Sequence, residues 1–295
     1  MRVRLISSAI GIAVALVVLF LHETFLFPLA LAAINCLLLY ELIRAVGAQG
    51  FWLSKISVLV FGIASPFQSF YPEQLYSALS GMPMLYVLVN HMFWVCLLLV
   101  FVDLLMHSQT FTVEQVSFEI MCMFLVPHSI GELITLHGSS GAYYPQGLVY
   151  VVLGLCGAWI ADSGAYFTGI TLGKHKLCPH ISPKKTVEGL IGGVVCNAVV
   201  TVLICLGYVL IQSAWFHREI PFDLWCALRA DLLGVICALA GVVGDLCASV
   251  LKRQKGVKDF GTIMPGHGGL MDRFDSVLFV LPAFSLCVRM FPIFS

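Results

Sequence analysis

The 295-residue chain is 60% hydrophobic and only 11% charged, with a mean hydropathy of +0.97. These values exclude a water-soluble globular class and point to a polytopic membrane protein. Its formal net charge is zero, so there is no whole-molecule attraction to nucleic acid, and no nucleic-acid partner is expected. Eleven cysteines are scattered through apolar segments without CxxC or Cys/His zinc spacing. They read as small core or lipid-facing residues rather than as disulfides or a zinc site.

An all-α architecture follows from the apolar runs. Segments near the length needed to cross ~30 Å of hydrocarbon number nine: 5–21, 25–43, 56–70, 84–106, 116–136, 148–170, 190–211, 232–250 and 277–294. The first, preceded by Arg2 and Arg4, resembles a signal peptide. Further spans follow at once without a small-residue cleavage site, so it is expected to be retained as an anchor.

With the N-terminus inside, nine spans place Arg2, Arg4, Arg44, Lys55, Lys174, Lys176, Lys184, Lys185, Lys252, Arg253, Lys255, Lys258 and Arg273 on the cytoplasmic side. Arg218, Arg229 and Arg289 fall on the far side or in the last span. This positive-inside bias predicts cytoplasmic charged loops at 171–189 and 251–276, where nucleotides are available.

The first half of the chain reads as scaffold and lipid-facing surface. Asp103, Glu114, Glu119 and Glu132 are thinly spread, and only Glu132 is singled out, because an ionisable group inside a span usually faces the bundle interior. The sixth span differs. Asp162, Tyr166 and Gly169 recur at i, i+4 and i+7, a stripe expected to face a polar cavity.

The loop GKHKLCPHISPKKTVEG follows, carrying Lys174, Lys176, Lys184 and Lys185 with Ser182 and Thr186 as donors suited to phosphate oxygens. It lacks the GxxxxGK[ST] spacing of a Walker loop. In the eighth span Gly234, Gly241 and Gly244 favour close helix packing. If that helix continues far enough, Asp245, Ser249 and Lys252 share one face.

The densest chemistry lies in SVLKRQKGVKDFGTIMPGHGGLMDRFD, residues 249–275, which holds Lys252, Arg253, Lys255, Lys258, Asp259, Asp272, Arg273 and Asp275. Glycines at 266, 268 and 269 flank His267 and let backbone approach a ligand closely. The aspartates are hard oxygen donors of the kind that suit Mg²⁺, an ion that keeps waters and shares itself with substrate phosphates.

The run S-x-L-K-R-x4-K-D-x-G-x2-M-P-G-H-G-G-x-x-D-R-x-D resembles the signature of the phosphatidate cytidylyltransferases, the CDP-diacylglycerol synthases. DSGAYFTG and the lysine loop resemble the same family in order and place, so the likeness covers about residues 158–276. One departure is Ala248, which stands where many members carry Glu in GDLxES.

The resemblance implies transfer of CMP from CTP to phosphatidic acid, with release of pyrophosphate. It also implies Mg²⁺ held by Asp245 and Asp272 in a one- or two-ion site, with Asp275 and Asp162 as further ligands or partners. Lys252, Arg253 and Lys258 would meet the triphosphate. Lys174, Ser182, Lys184, Lys185 and Thr186 would form a phosphate cradle, with Ser249 beside the metal face and His267 and Arg273 as binding residues.

Residues 1–147 would then be scaffold and 148–295 the catalytic region of a homodimeric bacterial inner-membrane enzyme, with its phosphatidate drawn from the surrounding membrane lipid. A CTP-dependent lipid kinase, a cytidylyltransferase for another lipid phosphate, and a transporter are the alternatives. The absence of an internal repeat and the clustering of charge on one face count against transport.

Overall fold

The computed structural model describes residues 11, 13, 15–46, 51–138, 146–264 and 268–294. Its helices are α1 (Leu26–Val46), α2 (Trp52–Phe70), α3 (Pro72–Leu79), α4 (Pro83–Asn90), α5 (Met92–Met106), α6 (Val113–His137), α7 (Gly147–Leu172), α8 (Val187–Phe216), α9 (Leu224–Gln254), α10 (Met271–Phe274) and α11 (Val277–Met290). Among the described residues the fold is all-α apart from one antiparallel hairpin, β1 (Lys176–Cys178) and β2 (Ser182–Thr186). Among the described residues, six helices are long and apolar enough to cross a membrane, and a bent pair makes a seventh span if counted as one.

Two of the nine expected spans differ, and a third is described only in part. Part of the first lies outside the described residues. The fourth, expected as continuous over 84–106, is broken between α4 and α5 with a 69° bend. The break falls at His91, whose ring Nδ1 lies 2.9 Å from the Val87 carbonyl and whose N–H donates to the same oxygen, so polar groups interrupt the apolar run there. The ninth holds only a 14-residue helix.

The chain clusters into two compact units, Met1–Ile134 with Lys255–Arg273, and Thr135–Gln254 with Phe274–Ser295. The expected boundary at 147/148 divides the chain by chemistry, and compactness partitions it differently. The signature segment contributes to both units.

In the first unit α1 packs on α2, and α2 on α5. Gly62 allows the approach: a Cβ there would run into Leu39, and its carbonyl accepts from Asn35 Nδ2 at 2.9 Å. Asp103, fully buried on α5, accepts the Ser54 N–H near the start of α2 at 2.8 Å and lies 2.8 Å from His107 Nδ1. That satisfies an otherwise orphaned helix-terminal donor. Glu132 lies 3.8 Å from His128 Nε2, one turn away on the same helix.

In the second unit α7, α8, α9 and α11 form the bundle. Residues without bulk set its spacing. A Cβ on Gly164 would lie 2.7 Å from Cys196 Cβ, and one on Gly234 would lie 2.7 Å from Ala198 Cα. Asn197, fully buried, donates to the Gly234 carbonyl at 2.7 Å. Close approach through small residues and a cross-helix amide bond replaces the hydrophobic driving force that lipid cannot supply. Gly241 and Gly244 likewise face α11 and the turn before it, so the packing role read from the sequence holds for all three glycines of this helix.

Outward-facing Leu203, Leu210, Ile211 and Trp215 on α8 are exposed, as befits a lipid-facing surface. Gly234→Val would push α9 off α8 and is expected to destabilise the protein by about 1–3 kcal/mol. Thermal unfolding in detergent measures this, and an unchanged midpoint would contradict the packing described.

Candidate active site

A cavity of about 600 Å³ opens within the second unit. Its walls come from α7, the hairpin, the start of α8 and the middle of α9. Asp162, Tyr166 and Gly169 all line it, so the i, i+4, i+7 stripe read from the sequence forms one wall. Asp245 lines another. Helix α9 runs on to Gln254, carrying Asp245, Ser249 and Lys252 on one continuous helix, as their spacing requires.

The hairpin turns the lysine loop into a third wall. Its register pairs Lys176 with Thr186 and Cys178 with Ser182, and the ladder is extended by the Val187 N–H donating to the His175 carbonyl at 2.9 Å. Lys176, Lys184, Lys185 and Thr186 line the cavity. Lys174 and Ser182, expected in the same cradle, are not among its lining residues, whereas Lys176 is.

Two anchors fix the hairpin. Glu188, in the first turn of α8, accepts the Lys174 and His175 N–H groups at 3.0 and 3.1 Å and lies 2.6 Å from His175 Nδ1. Arg253 Nε donates to the Ile181 carbonyl at the hairpin turn, at 3.5 Å. Thr186 is the N-cap of α8, its hydroxyl accepting from the Gly189 N–H at 3.1 Å. Its structural role is therefore definite, and it contributes to the cavity wall from the same position.

Charge is concentrated at the base of the site. Lys185 pairs with Asp245, the two side chains being only 22% and 26% exposed. Asp275, in the turn before α11, is buried. Burial first, and then the Asp245 carboxylate, pushes the Asp275 carboxyl up to about 7, with Asp162 adding to the rise and Lys252 and the Ser276 N–H opposing it. Ser276, 1% exposed, links the group: its hydroxyl lies 3.1 Å from Asp162 Oδ2 and 3.4 Å from Asp275 Oδ1, and its N–H donates to Asp275 Oδ1 at 2.8 Å. Sequence reasoning missed Ser276, because a serine beside an apolar helix start carries no signal of its own.

Among the described residues no group of three His, Cys, Asp or Glu side chains is arranged to hold an ion by itself. The donors still fit Mg²⁺. Burial, with the Asp245 and Asp162 carboxylates adding to it, keeps a proton on Asp275 near neutrality, and a divalent cation completing its shell with water and phosphate oxygens would offset that penalty.

The remaining described candidates are not among the residues lining this cavity. Ser249 is half-buried on α9 and does not line the cavity. Asp272 belongs to the first unit, where its Oδ2 accepts the Phe260 and Gly269 N–H groups at 3.0 and 2.9 Å. Lys258 and Arg273 are exposed in that unit, and His267 lies outside the described residues. Ala248, at the position of the family glutamate, is 3% exposed on α9.

The profile of the Cytidylyltransferase family matches residues 2–291. The phosphatidate cytidylyltransferase of Staphylococcus haemolyticus (strain JCSC1435) is 42% identical over 141 residues, 48% of this chain and 49% of that protein. Those of Staphylococcus saprophyticus subsp. saprophyticus and Staphylococcus aureus (strain COL) are 41% and 42% identical over the same shares. The chain spans about half the length of the curated relatives it matches.

Proposed function

This chain belongs to the cytidylyltransferase family, and from that premise we propose that it transfers CMP from CTP to phosphatidic acid, yielding CDP-diacylglycerol and pyrophosphate. The observation that carries the reading is a single cavity in which Asp162 and Asp245 face Lys176, Lys184 and Lys185 beside apolar Tyr166, Ile170 and Leu190. Anionic headgroup, triphosphate and acyl chain each find matching chemistry there. Tyr166 and Ile170 are 64% and 66% exposed, an apolar flank suited to a substrate whose tails remain in hydrocarbon.

In the reaction, a phosphate oxygen of phosphatidate attacks the α-phosphorus of CTP in line. The bond to the bridging oxygen of the β-phosphate breaks, and pyrophosphate leaves with that electron pair. The attacking oxygen is already anionic, so the protein's contribution is alignment and charge neutralisation rather than general-base catalysis. Mg²⁺, when bound, neutralises phosphate oxygens, and Asp245, with Asp275 and Asp162 behind it, would hold it.

Lys185 is held at the site by Asp245 and, with Lys184 and Lys176, stabilises charge building up on the leaving pyrophosphate. Ser276 keeps Asp162 and Asp275 oriented. The excess of basic residues on one side, counted over the nine expected spans, supports a cytoplasmic orientation for this chemistry, where CTP is found. A bacterial inner membrane and a homodimer belong to the same reading, the dimer by family resemblance.

Replacing Lys184 and Lys185 together by alanine is expected to raise KM for CTP and lower kcat, for a combined loss of about 10²-fold or more in kcat/KM. Steady-state rates checked against released product test both the residues and the reaction. Unchanged CTP dependence would remove the lysines from the site, and CDP in place of pyrophosphate would make the protein a lipid kinase.

A further inference from the structure

Glu41 lies near the end of α1, in the half of the chain that reads as scaffold, with 1% of its surface exposed. Its carboxylate accepts the backbone N–H groups of Leu270 at 3.1 Å and Met271 at 2.8 Å, 229 and 230 residues away in sequence. Two glycines make room for it. A Cβ on Gly261 would lie 2.6 Å from Glu41 Cδ, and one on Gly269 would lie 2.5 Å from Glu41 Oε2.

Asp272 closes the same loop from the other side, accepting from Phe260 and Gly269. Gly268, at φ 86°, brings its backbone against Asp272, where a Cβ would lie 2.9 Å from Oδ2. The segment is also tethered at its start, where Lys255 Nζ lies 3.3 Å from Glu114 Oε1. A buried carboxylate without such donors is strongly disfavoured, and one that gathers two N–H groups makes two charge-assisted bonds. Glu41 and the loop therefore fix each other.

We propose that Glu41 is a positioning residue for Asp272: it sets the backbone at Gly269–Met271 and so fixes where the Asp272 carboxylate is presented. The proposal rests on the reading of the signature segment as serving cytidylyl transfer. It gives the N-terminal half a specific task in that chemistry, and it accounts for Gly261 and Gly269 as the space a carboxylate from α1 occupies.

The test uses the full chain in detergent and compares the parent with Glu41→Gln, which keeps size but turns one acceptor into a donor facing an N–H. Amide hydrogen exchange over residues 268–272 is expected to quicken about tenfold or more, while α7 and α8 keep their protection. The kcat for CMP transfer should fall about tenfold or more, and KM for CTP should stay within about twofold.

Glu41→Asp, retaining the charge, should recover part of the rate. Gly261→Ala, crowding the carboxylate, should reproduce the local loss of protection and serves if Glu41→Gln does not fold. Unchanged exchange at 268–272, faster exchange throughout the protein, or local loosening with an unchanged kcat would each overturn the proposal. A parent that transfers no CMP would refute the functional reading, whereas the exchange data would still decide whether Glu41 clamps the loop.

Discussion

Asp245→Asn is expected to lower turnover by about 10³-fold while the protein remains folded. The substitution removes the charge paired with Lys185 and the carboxylate of α9 that lines the cavity. Lys185 then loses its counter-charge at a partly buried position, and Asp275 loses the carboxylate that is the largest charge contribution to its raised proton affinity. Two results should therefore appear together: loss of rate, and a downward move of the Asp275 titration. Asp245 lies in the middle of a long helix with its side chain at a cavity, so the bundle has no need of its charge. Near-normal turnover in a well-folded variant would take Asp245 out of the reaction.

Asp275→Asn is expected to cost about 10²-fold or more in rate and, in the opposite sense, to stabilise the protein at alkaline pH. The sign follows from the raised folded-state value of about 7. Below the unfolded value of about 4 the carboxyl is protonated in both states, and no pH-dependent difference exists. Between about 4 and 7 the folded protein holds a proton that the unfolded chain has lost, so stability falls as pH rises through that window.

Asparagine, neutral throughout, removes the slope. The variant should unfold at a higher temperature than the parent at pH 8, with the gap closing toward pH 4. In the parent, the rate should climb as pH rises through about 7, because the charged carboxylate is the form that serves a cation, and saturating Mg²⁺ should shift that climb to lower pH. A parent whose stability is flat from pH 4 to 8 would contradict the crowding of carboxylates around Asp275.

Asp162, Tyr166 and Gly169 were legible because helical periodicity alone puts them on one stripe, and the cavity wall they form required nothing from distant sequence. Asp245 and Lys252 were legible for the same reason once α9 ran on past the apolar stretch. The hairpin was not. Its strands are three and five residues long and rich in lysine, too short for an alternating pattern to stand out. Missing it exchanged Lys176 for Lys174 in the cradle, since Lys176 opens the first strand at the cavity wall while Lys174 precedes it, where its N–H is held by Glu188.

Glu41 was invisible for a different reason. Nothing local distinguishes a glutamate near the end of an apolar helix, and its partners lie more than two hundred residues on, at positions whose only visible mark is the glycines that leave it space. The break at His91 shows the limit of counting apolar residues, because a run long enough to span is bent by 69° where a polar residue stands within it. Ser276 belongs with Glu41, a residue whose importance arises entirely from what the fold brings beside it.

The most direct test of the central claim is transfer of label from CTP carrying a labelled α-phosphate to phosphatidic acid by the purified, detergent-solubilised protein with Mg²⁺, run beside Asp245→Asn. The account predicts label in a lipid product with one pyrophosphate released per transfer, and its loss in the variant. A well-folded parent that puts no α-label into lipid, or an Asp245→Asn protein that does so at the parent's rate, would contradict it.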